Sequence, residues 1–326
     1  MIRRKTVCTE RRPKSFVQVV VFFCIPLFVL ACQPTKHLLP TPVTLIPIST
    51  PLSAPTKTVT AVPAITPPQP TQTNVPTATP CAESGQIETA VFTTQTVGQF
   101  NYRIYKPPCY GQDGHLYPTL YMLPGNNHTD KVWDRLGLDE AAEQLIQAQQ
   151  ILPLLIVMAD GGWIANNTSG GVGSYETLIL NELIPHIEQT TCAWSDPKGR
   201  AIGGLSRGGY WALEIAFRHP EQFVSVGGHS AALLDIAAGP TINPQQTGLN
   251  NNLGDLRIYF DIGQADYLIY NIQRLHEEME TAVIQHTWIL NKGDHNEIYW
   301  RNHTSDYLIW YSQSWQQKRA DYPPCP

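Results

Sequence analysis

The stretch AIGGLSRGGYWALEIAFRHP, residues 201–220, holds one serine among four glycines, directly before an apolar run with helical spacing. The segment ending in AIGGL reads as a buried strand, and GYWALEIAFRHP reads as a helix. Ser206 therefore lies in a strand–turn–helix junction with a G-x-S-x-G pattern. The flanking glycines are needed because a Cβ would collide with the neighbouring strand and helix. Such a turn presents the hydroxyl at the strand's carboxyl end, so we predict that Ser206 is a nucleophile.

A serine hydroxyl needs a base, and the base needs an orienting acid; after such a turn the chain order is serine, acid, histidine. Of ten histidines, five follow Ser206 by at least 20 residues. We predict His295 as the base, because LNKGDHNEIYW places it in a loop between the last predicted strand and the final helix. His229 is the alternative, since GGHS also ends a strand. The remaining three are interpreted as surface or packing residues: His276, His286 and His303.

The acid is expected in the loop that follows LRIYFDIG. We favour Asp266, which lies past the strand and after a glycine that lets the chain bend back. Asp261 is still close to the strand and would instead fix the loop by hydrogen bonds. Asp294 is interpreted as a loop residue, because the side chains of adjacent residues diverge from His295.

Two backbone N–H groups are expected to stabilise the oxyanion of a tetrahedral intermediate. One belongs to Arg207, directly after the nucleophile. The other is assigned to Asn126, in the loop after LYMLPG, where Gly125 permits close approach.

The rest of the domain alternates short apolar runs with longer helical patterns from residue 100 onward, beginning with FNYRIYKPP, YPTLYMLPG and ILPLLIVMADGG. Helices are predicted at residues 134–150 and 175–191. This alternation predicts an α/β domain with a mostly parallel sheet and helices on both faces. Two long connections, residues 161–175 and 229–255, are expected to shape the substrate pocket. Trp163 in the first connection would either line that pocket or pack on the core.

The N-terminal region has the pattern of an export signal. Residues 1–15 carry six basic side chains against one acid, and residues 16–31 form an apolar run that is short for a membrane-spanning helix. The ending VLAC resembles the lipobox of bacterial lipoproteins, so we expect lipidation at Cys32. An ordinary cleaved signal or an uncleaved anchor are the alternatives. Each places the remaining chain outside the cytoplasm, with a membrane contact only at this end.

Residues 33–80 contain 12 prolines, 12 threonines and no glycine, which predicts a disordered, semi-rigid linker reaching at most about 150 Å. Residues 81–326 are then one catalytic domain. After the signal, residues 1–32, the chain has 16 basic and 26 acidic residues, a formal charge of −10. This acidic balance argues against binding to nucleic acid.

Four cysteines lie in the predicted domain: Cys81, Cys109, Cys192 and Cys325. An even number in an oxidising compartment favours two disulfides, with free buried thiols as the alternative. The sequence has no C-x-x-C or H-E-x-x-H spacing, so neither a structural zinc site nor a zincin is suggested. The predicted serine mechanism requires no metal and no organic cofactor.

Four segments resemble the esterase D/feruloyl esterase branch of the α/β-hydrolases, which includes enterochelin esterases and bacterial mycolyltransferases: YPTLYMLPGNN, IGGLSRGGYWALEIAFRHPEQF, GQADYL and GDHNEIYWRNHTSDYL. The similarity spans residues 98–315 and includes a G-x-H-x-x-x-x-W pattern around His295. It implies the α/β-hydrolase fold, a triad of Ser206, Asp266 and His295, and an oxyanion hole formed by the amides of Arg207 and Asn126. The chain departs from the pattern at Pro124, where such enzymes commonly have histidine or aspartate.

The topology of that fold also implies a disulfide pairing. The strand ending at Cys109 would finish at the bottom of the sheet, where the helix before Cys192 returns. We therefore expect Cys109–Cys192, with Cys81–Cys325 joining the two ends of the domain.

Together these patterns predict an exported serine esterase acting on a small-molecule or carbohydrate ester with a feruloyl, acetyl or other short acyl group. The alternatives are an acyltransferase of the mycolyltransferase type, which passes the acyl group to a sugar or lipid alcohol, and a non-catalytic wall-binding module. The acyl group, the alcohol and the oligomeric state are not fixed by the sequence.

Overall fold

The computed structural model describes Cys81, residues 83–234 and residues 238–326. The predicted signal, its Cys32 and the Pro/Thr-rich linker lie outside the described residues. In the part that is described, none of the helices combines the length and apolar character needed to cross a membrane.

Eight strands form the sheet of the described region: β1 (Gln86–Thr94), β2 (Gly98–Lys106), β3 (Thr119–Leu123), β4 (Leu155–Ala159), β5 (Arg200–Leu205), β6 (Ser225–His229), β7 (Arg257–Gly263) and β8 (Thr287–Asn291). Their order is β1-β2-β4-β3-β5-β6-β7-β8. β1 and β2 are antiparallel, and β2 is antiparallel to β4. The pairings from β4 through β8 are all parallel, which confirms the mostly parallel sheet.

Nine α-helices surround the sheet: α1 (Val132–Arg135), α2 (Leu138–Gln147), α3 (Gly162–Asn167), α4 (Tyr175–Leu178), α5 (Ile184–Thr190), α6 (Arg207–Arg218), α7 (Pro244–Asn250), α8 (Ile269–Thr281) and α9 (Glu297–Ser312), as far as the described residues extend. A π-helical turn, Ile179–Leu183, joins α4 to α5. Helices thus alternate with strands along the chain, as the sequence predicts.

Two apolar cores lie on opposite faces of the sheet. In β3, Tyr121 and Leu123 face a core shared with α4, α5, α6 and α8, whereas Leu120 and Met122 face a core shared with α1, α2 and α9. Successive side chains of a strand point to opposite faces, so a strand buried on both sides reads as a continuous apolar run. The helices therefore cover both faces, as predicted.

Some elements differ from the sequence prediction. β1 was not predicted, because it is an edge strand whose residues are mostly exposed or half-buried. The helix predicted over residues 134–150 is split at Gly137, which has a φ of 81°. The two connections predicted as loops contain the short helices α3 and α7.

The disulfides are Cys81–Cys109 and Cys192–Cys325, so the expected pairing of Cys109 with Cys192 and of Cys81 with Cys325 is wrong. β1 explains the first pair: it runs antiparallel to β2, with Gln86 opposite Lys106, and this brings the segment before β1 to the end of β2.

The second pair is explained by the C-terminal segment, which returns to the segment before β3. The Cys325 N–H donates to Gly114 O at 2.8 Å, and the Tyr117 N–H donates to Cys192 O at 2.8 Å. Residues 114–117 therefore hold Cys192 and Cys325 side by side.

Candidate active site

Ser206 lies at the turn between β5 and α6 in a strained conformation, with φ 54° and ψ −117°. Its N–H donates to His229 O at 2.9 Å, which fixes the turn to the neighbouring strand β6. A Cβ on Gly204 would lie 2.4 Å from Gly208 C, and a Cβ on Gly208 would lie 2.3 Å from Leu123 O. Only glycine fits at these two positions, and the turn they permit directs the serine side chain out of the sheet.

The structure brings Ser206, His295 and Asp266 together. The distance from His295 Nε2 to Ser206 Oγ is 2.9 Å, and that from His295 Nδ1 to Asp266 Oδ2 is 2.8 Å. Asp266 is only 2 % exposed, and its second oxygen, Oδ1, accepts the Leu268 N–H at 2.8 Å. A buried, hydrogen-bonded carboxylate holds the Nδ1–H of the imidazole, so Nε2 is left to accept the serine proton.

The loops that carry the acid and the base approach each other through two glycines. A Cβ on Gly263 would lie 2.3 Å from Gly293 O, so no side chain fits between the loops. The Ala265 N–H donates to Gly293 O at 2.9 Å, directly before Asp266. The chain thus turns back after β7 and places the carboxylate beside the imidazole ring.

The imidazole of His295 contacts two aromatic rings. Trp300 meets it edge-on with ring centroids 5.0 Å apart, and Tyr267 lies at 4.7 Å on the rim of the site. Trp300 is buried in α9, whereas Tyr267 is 76 % exposed. The two rings restrict the orientation of the base.

The two segments that carry the predicted oxyanion donors both adjoin the serine. Arg207 is the first residue of α6, where a backbone N–H has no acceptor within the helix. On the other side, a Cβ on Gly125 would lie 3.4 Å from Ser206 Cβ, so the Gly125–Asn126 segment passes next to the nucleophile. A tight turn follows, closed by the His128 N–H donating to Gly125 O at 3.1 Å.

The alternative residues occupy other positions. His229 is fully buried and contacts Asp261 and Tyr311 instead of the serine hydroxyl. Asp261 Oδ2 accepts the hydroxyls of Tyr299 and Tyr307, each at 2.8 Å. Asp294 is exposed, and its backbone carbonyl accepts the Asn296 N–H before α9. These residues organise the structure beneath and beside the site.

The side chain of Arg207 has a second role that the sequence did not reveal. Its Nε donates to Ala165 O at 3.0 Å, and its Nη2 donates to Thr168 O. The guanidinium also lies 4.4 Å from the ring centroid of Tyr210. Residues 161–175, the first of the predicted substrate loops, are thus fastened to the residue after the nucleophile. No local pattern could identify this, because the acceptors are backbone carbonyls about 40 positions away.

Comparisons with known proteins concern the family and the fold. Residues of this chain are 32 % identical over 148 positions to "Esterase MT1326" of Mycobacterium tuberculosis, covering 43 % of this chain and 31 % of that protein. They are 30 % identical over 153 positions to an "Endo-1,4-beta-xylanase/feruloyl esterase" of Xylanibacter ruminicola, covering 43 % of this chain and 20 % of that protein. The matched part is thus a third or less of these relatives.

A solved structure described as a ferulic acid esterase superposes with a TM-score of 0.65 at 22 % identity, covering 72 % of this chain and all of that one. This likeness shows the α/β-hydrolase fold. The family model described as "Putative esterase" matches residues 93–311, which is more than half of the chain and contains Ser206, Asp266 and His295. The chain belongs to this esterase family of α/β-hydrolase proteins.

Proposed function

We propose that this protein is an exported serine esterase that hydrolyses carboxylic esters through an acyl-enzyme formed on Ser206. One observation carries the proposal: His295 lies within hydrogen-bond distance of both Ser206 Oγ, at 2.9 Å, and Asp266 Oδ2, at 2.8 Å. Membership of the esterase family supports the reaction class.

In the acylation step, His295 Nε2 takes the hydroxyl proton while Ser206 Oγ attacks the ester carbonyl carbon. The resulting oxyanion receives hydrogen bonds from the N–H groups of Arg207 and Asn126. When the intermediate collapses, the bond from the acyl carbon to the alcohol oxygen breaks, and the imidazolium returns its proton to the departing alkoxide. Asp266 stabilises the imidazolium and keeps the ring oriented.

In the deacylation step, His295 takes a proton from water as the water oxygen attacks the acyl carbon. The bond to Ser206 Oγ then breaks, the imidazolium returns the proton to Oγ, and the carboxylic acid leaves. Every proton that His295 accepts is returned within the same half-reaction, so no cofactor enters the balance.

Export is part of the proposal. A basic segment, an apolar segment and Cys32 form the signal, and Cys32 becomes the lipidated end that tethers the domain to a membrane. The Pro/Thr-rich residues 33–80 act as the linker. The two disulfides support a location in an oxidising compartment outside the cytoplasm.

The proposed substrates are esters of short acyl or hydroxycinnamoyl groups, carried on a carbohydrate. The relative named as an esterase supports an ester substrate, and the relative named as a xylanase/feruloyl esterase supports a hydroxycinnamoyl ester on a carbohydrate. The chain matches only a part of each relative, so the substrate class is proposed for this protein and is not taken over from them.

The test is hydrolysis of p-nitrophenyl acetate by the purified chain, with Ser206→Ala as the inactive control. We expect a burst of nitrophenol and an acetyl mass increase on the peptide that contains Ser206. Activity that survives in Ser206→Ala would contradict the proposal. A product acylated on an added sugar, formed in preference to free acid, would identify a transferase instead.

A further inference from the structure

We propose that a cavity between the β1–β2 turn and α3 binds a neutral sugar unit of the ester substrate, stacked on the indole of Trp163. The cavity, called here the Trp163 cavity, has a volume of about 500 Å³ and is lined chiefly by Gln99, Phe100, Asn101, Asp160, Gly161 and Trp163. The inference rests on the proposed esterase function, and it names the part of the substrate that lies beyond the scissile ester.

Trp163 is unusual among the tryptophans of this protein. All eight lie in the described part of the chain, and Trp163 alone is exposed, at 73 %. An indole left in water gives up a large gain from burial, so an exposed tryptophan beside a cavity indicates a surface for a ligand. Of the two roles considered from the sequence, packing on the core is therefore wrong for this residue.

The helix that carries Trp163 is held in a fixed position relative to the nucleophile. Ala165 O accepts the indole N–H of Trp211 at 2.9 Å and the Nε–H of Arg207 at 3.0 Å. Arg207 directly follows Ser206 in the chain. A ligand stacked on Trp163 is therefore held on an element fastened to the reacting serine.

The opposite wall of the cavity is also fixed. In the turn between β1 and β2, the Thr96 N–H donates to Glu182 Oε1 at 3.2 Å, and the Thr96 hydroxyl donates to the same oxygen. The Gln95 N–H donates to the other oxygen, Glu182 Oε2. Glu182 lies in the π-helical turn Ile179–Leu183. Walls that are ordered before binding reduce the entropy cost of holding a ligand.

The polar lining favours a sugar over a purely apolar group. Asn101 Nδ2 donates to Asp160 Oδ2 at 3.3 Å, and Gln99 adds a second amide on the same wall. Amides both donate and accept hydrogen bonds, as sugar hydroxyls do, whereas the C–H face of a pyranose matches an indole ring. The carboxylate of Asp160 favours a neutral sugar, since a uronate would be repelled.

The test measures binding without turnover, in the full chain carrying Ser206→Ala. Xylohexaose and cellohexaose are titrated by calorimetry, and we expect Trp163→Ala to weaken binding about tenfold. Tyr270→Ala is the matched control, because Tyr270 is 71 % exposed and lies outside the cavity. Trp163→Phe, which keeps an aromatic face, is expected to retain part of the affinity.

The enzyme with an intact Ser206 gives the second readout. With Trp163→Ala, we expect the ratio of kcat/KM for acetylated xylohexaose to that for p-nitrophenyl acetate to fall about tenfold, mainly through KM. If neither hexaose binds, or if Trp163→Ala binds as well as its parent, the subsite proposal is overturned even where ester hydrolysis persists. If the enzyme with an intact Ser206 and Trp163 hydrolyses no ester although the hexaoses bind, the proposed esterase function is overturned instead.

Discussion

His229 Nδ1 lies 2.7 Å from Asp261 Oδ1, so a fully buried histidine–carboxylate pair accompanies that of His295 and Asp266. His229 also stacks on Tyr307 with ring centroids 3.7 Å apart. The ring of His229 does not reach a serine hydroxyl, but its backbone carbonyl accepts the Ser206 N–H. Proton transfer is the proposed role of the His295–Asp266 pair, whereas the His229–Asp261 pair joins β6, β7 and α9.

Replacing Asp266 by Asn is expected to lower kcat for p-nitrophenyl acetate about 10⁴-fold. The amide can present an N–H to His295 Nδ1, which favours the imidazole tautomer that cannot accept the serine proton. Asp294→Asn, in the exposed loop next to the base, is the matched control and should change kcat less than about threefold. Comparable losses in the two variants would remove Asp266 from its proposed role.

Replacing His229 by Phe is expected to destabilise the fold by about 3–5 kcal/mol, because it removes the partner of a buried carboxylate. The free energy of unfolding in urea measures this loss. Tyr311→Phe removes one hydroxyl from the same network and should cost only about 1 kcal/mol. A His229→Phe protein of unchanged stability and no activity would show that His229 acts in the reaction.

The stability of the protein should fall as the pH rises from about 4.5 to about 8 because of Glu214. Burial, and secondly the charge of Glu176, raise the pKa of Glu214 to about 8, although Arg218 and Arg207 oppose the shift. The folded state therefore holds a proton that the unfolded state releases near its ordinary pKa of about 4.5. The contribution of Glu214 to the free energy of unfolding is complete below about pH 4.5 and is lost as the pH rises through 8.

Glu214→Gln removes this titration. We expect the variant to be more stable than the parent at pH 9, by up to a few kcal/mol, with a smaller difference at pH 5. Urea unfolding at pH 5, 7 and 9 measures the free energy of unfolding. Glu221→Gln is the control, because the side chain of Glu221 is exposed. A parent protein whose stability does not decline between pH 7 and 9 would contradict the assignment.

The two disulfides should contribute unequally to stability. Cys192–Cys325 spans 133 residues and Cys81–Cys109 spans 28. From the entropy of closing loops of these lengths in the unfolded chain, replacing the pairs by serine should cost about 5 and about 3.5 kcal/mol, respectively. Thermal and urea unfolding of the two double variants show which replacement lowers the stability more. A peptide map that joins Cys109 to Cys192 would instead restore the pairing expected from the sequence.

The nucleophile turn could be predicted from the sequence because its requirements are local. Glycines at positions 204 and 208 are imposed by backbone contacts within one strand–turn–helix unit, and the order serine, acid, histidine follows from the order of the strands. Asp266 and His295 could be favoured because each lies just past the end of a predicted strand.

The disulfide pairing could not be predicted, because it depends on β1. This edge strand shows little apolar alternation, as only Thr94 among its nine residues is buried. The anchoring of residues 161–175 by Arg207 could not be predicted either. The acceptors Ala165 O and Thr168 O come close to the Arg207 guanidinium only after the helices pack on the sheet.

The contact between Gly263 and Gly293 has a consequence for how such a site can diversify. The loop after β7 and the loop after β8 contact each other, so the residues that hold Asp266 beside His295 lie on these two loops and not on the loops after β4 and β6. Insertions or substitutions in those outer loops can change which ester is admitted while proton transfer keeps its alignment. In the proposed esterase, the outer loops would then set selectivity while the pairing of acid and base is kept, although Arg207 ties the first of these loops to the nucleophile turn.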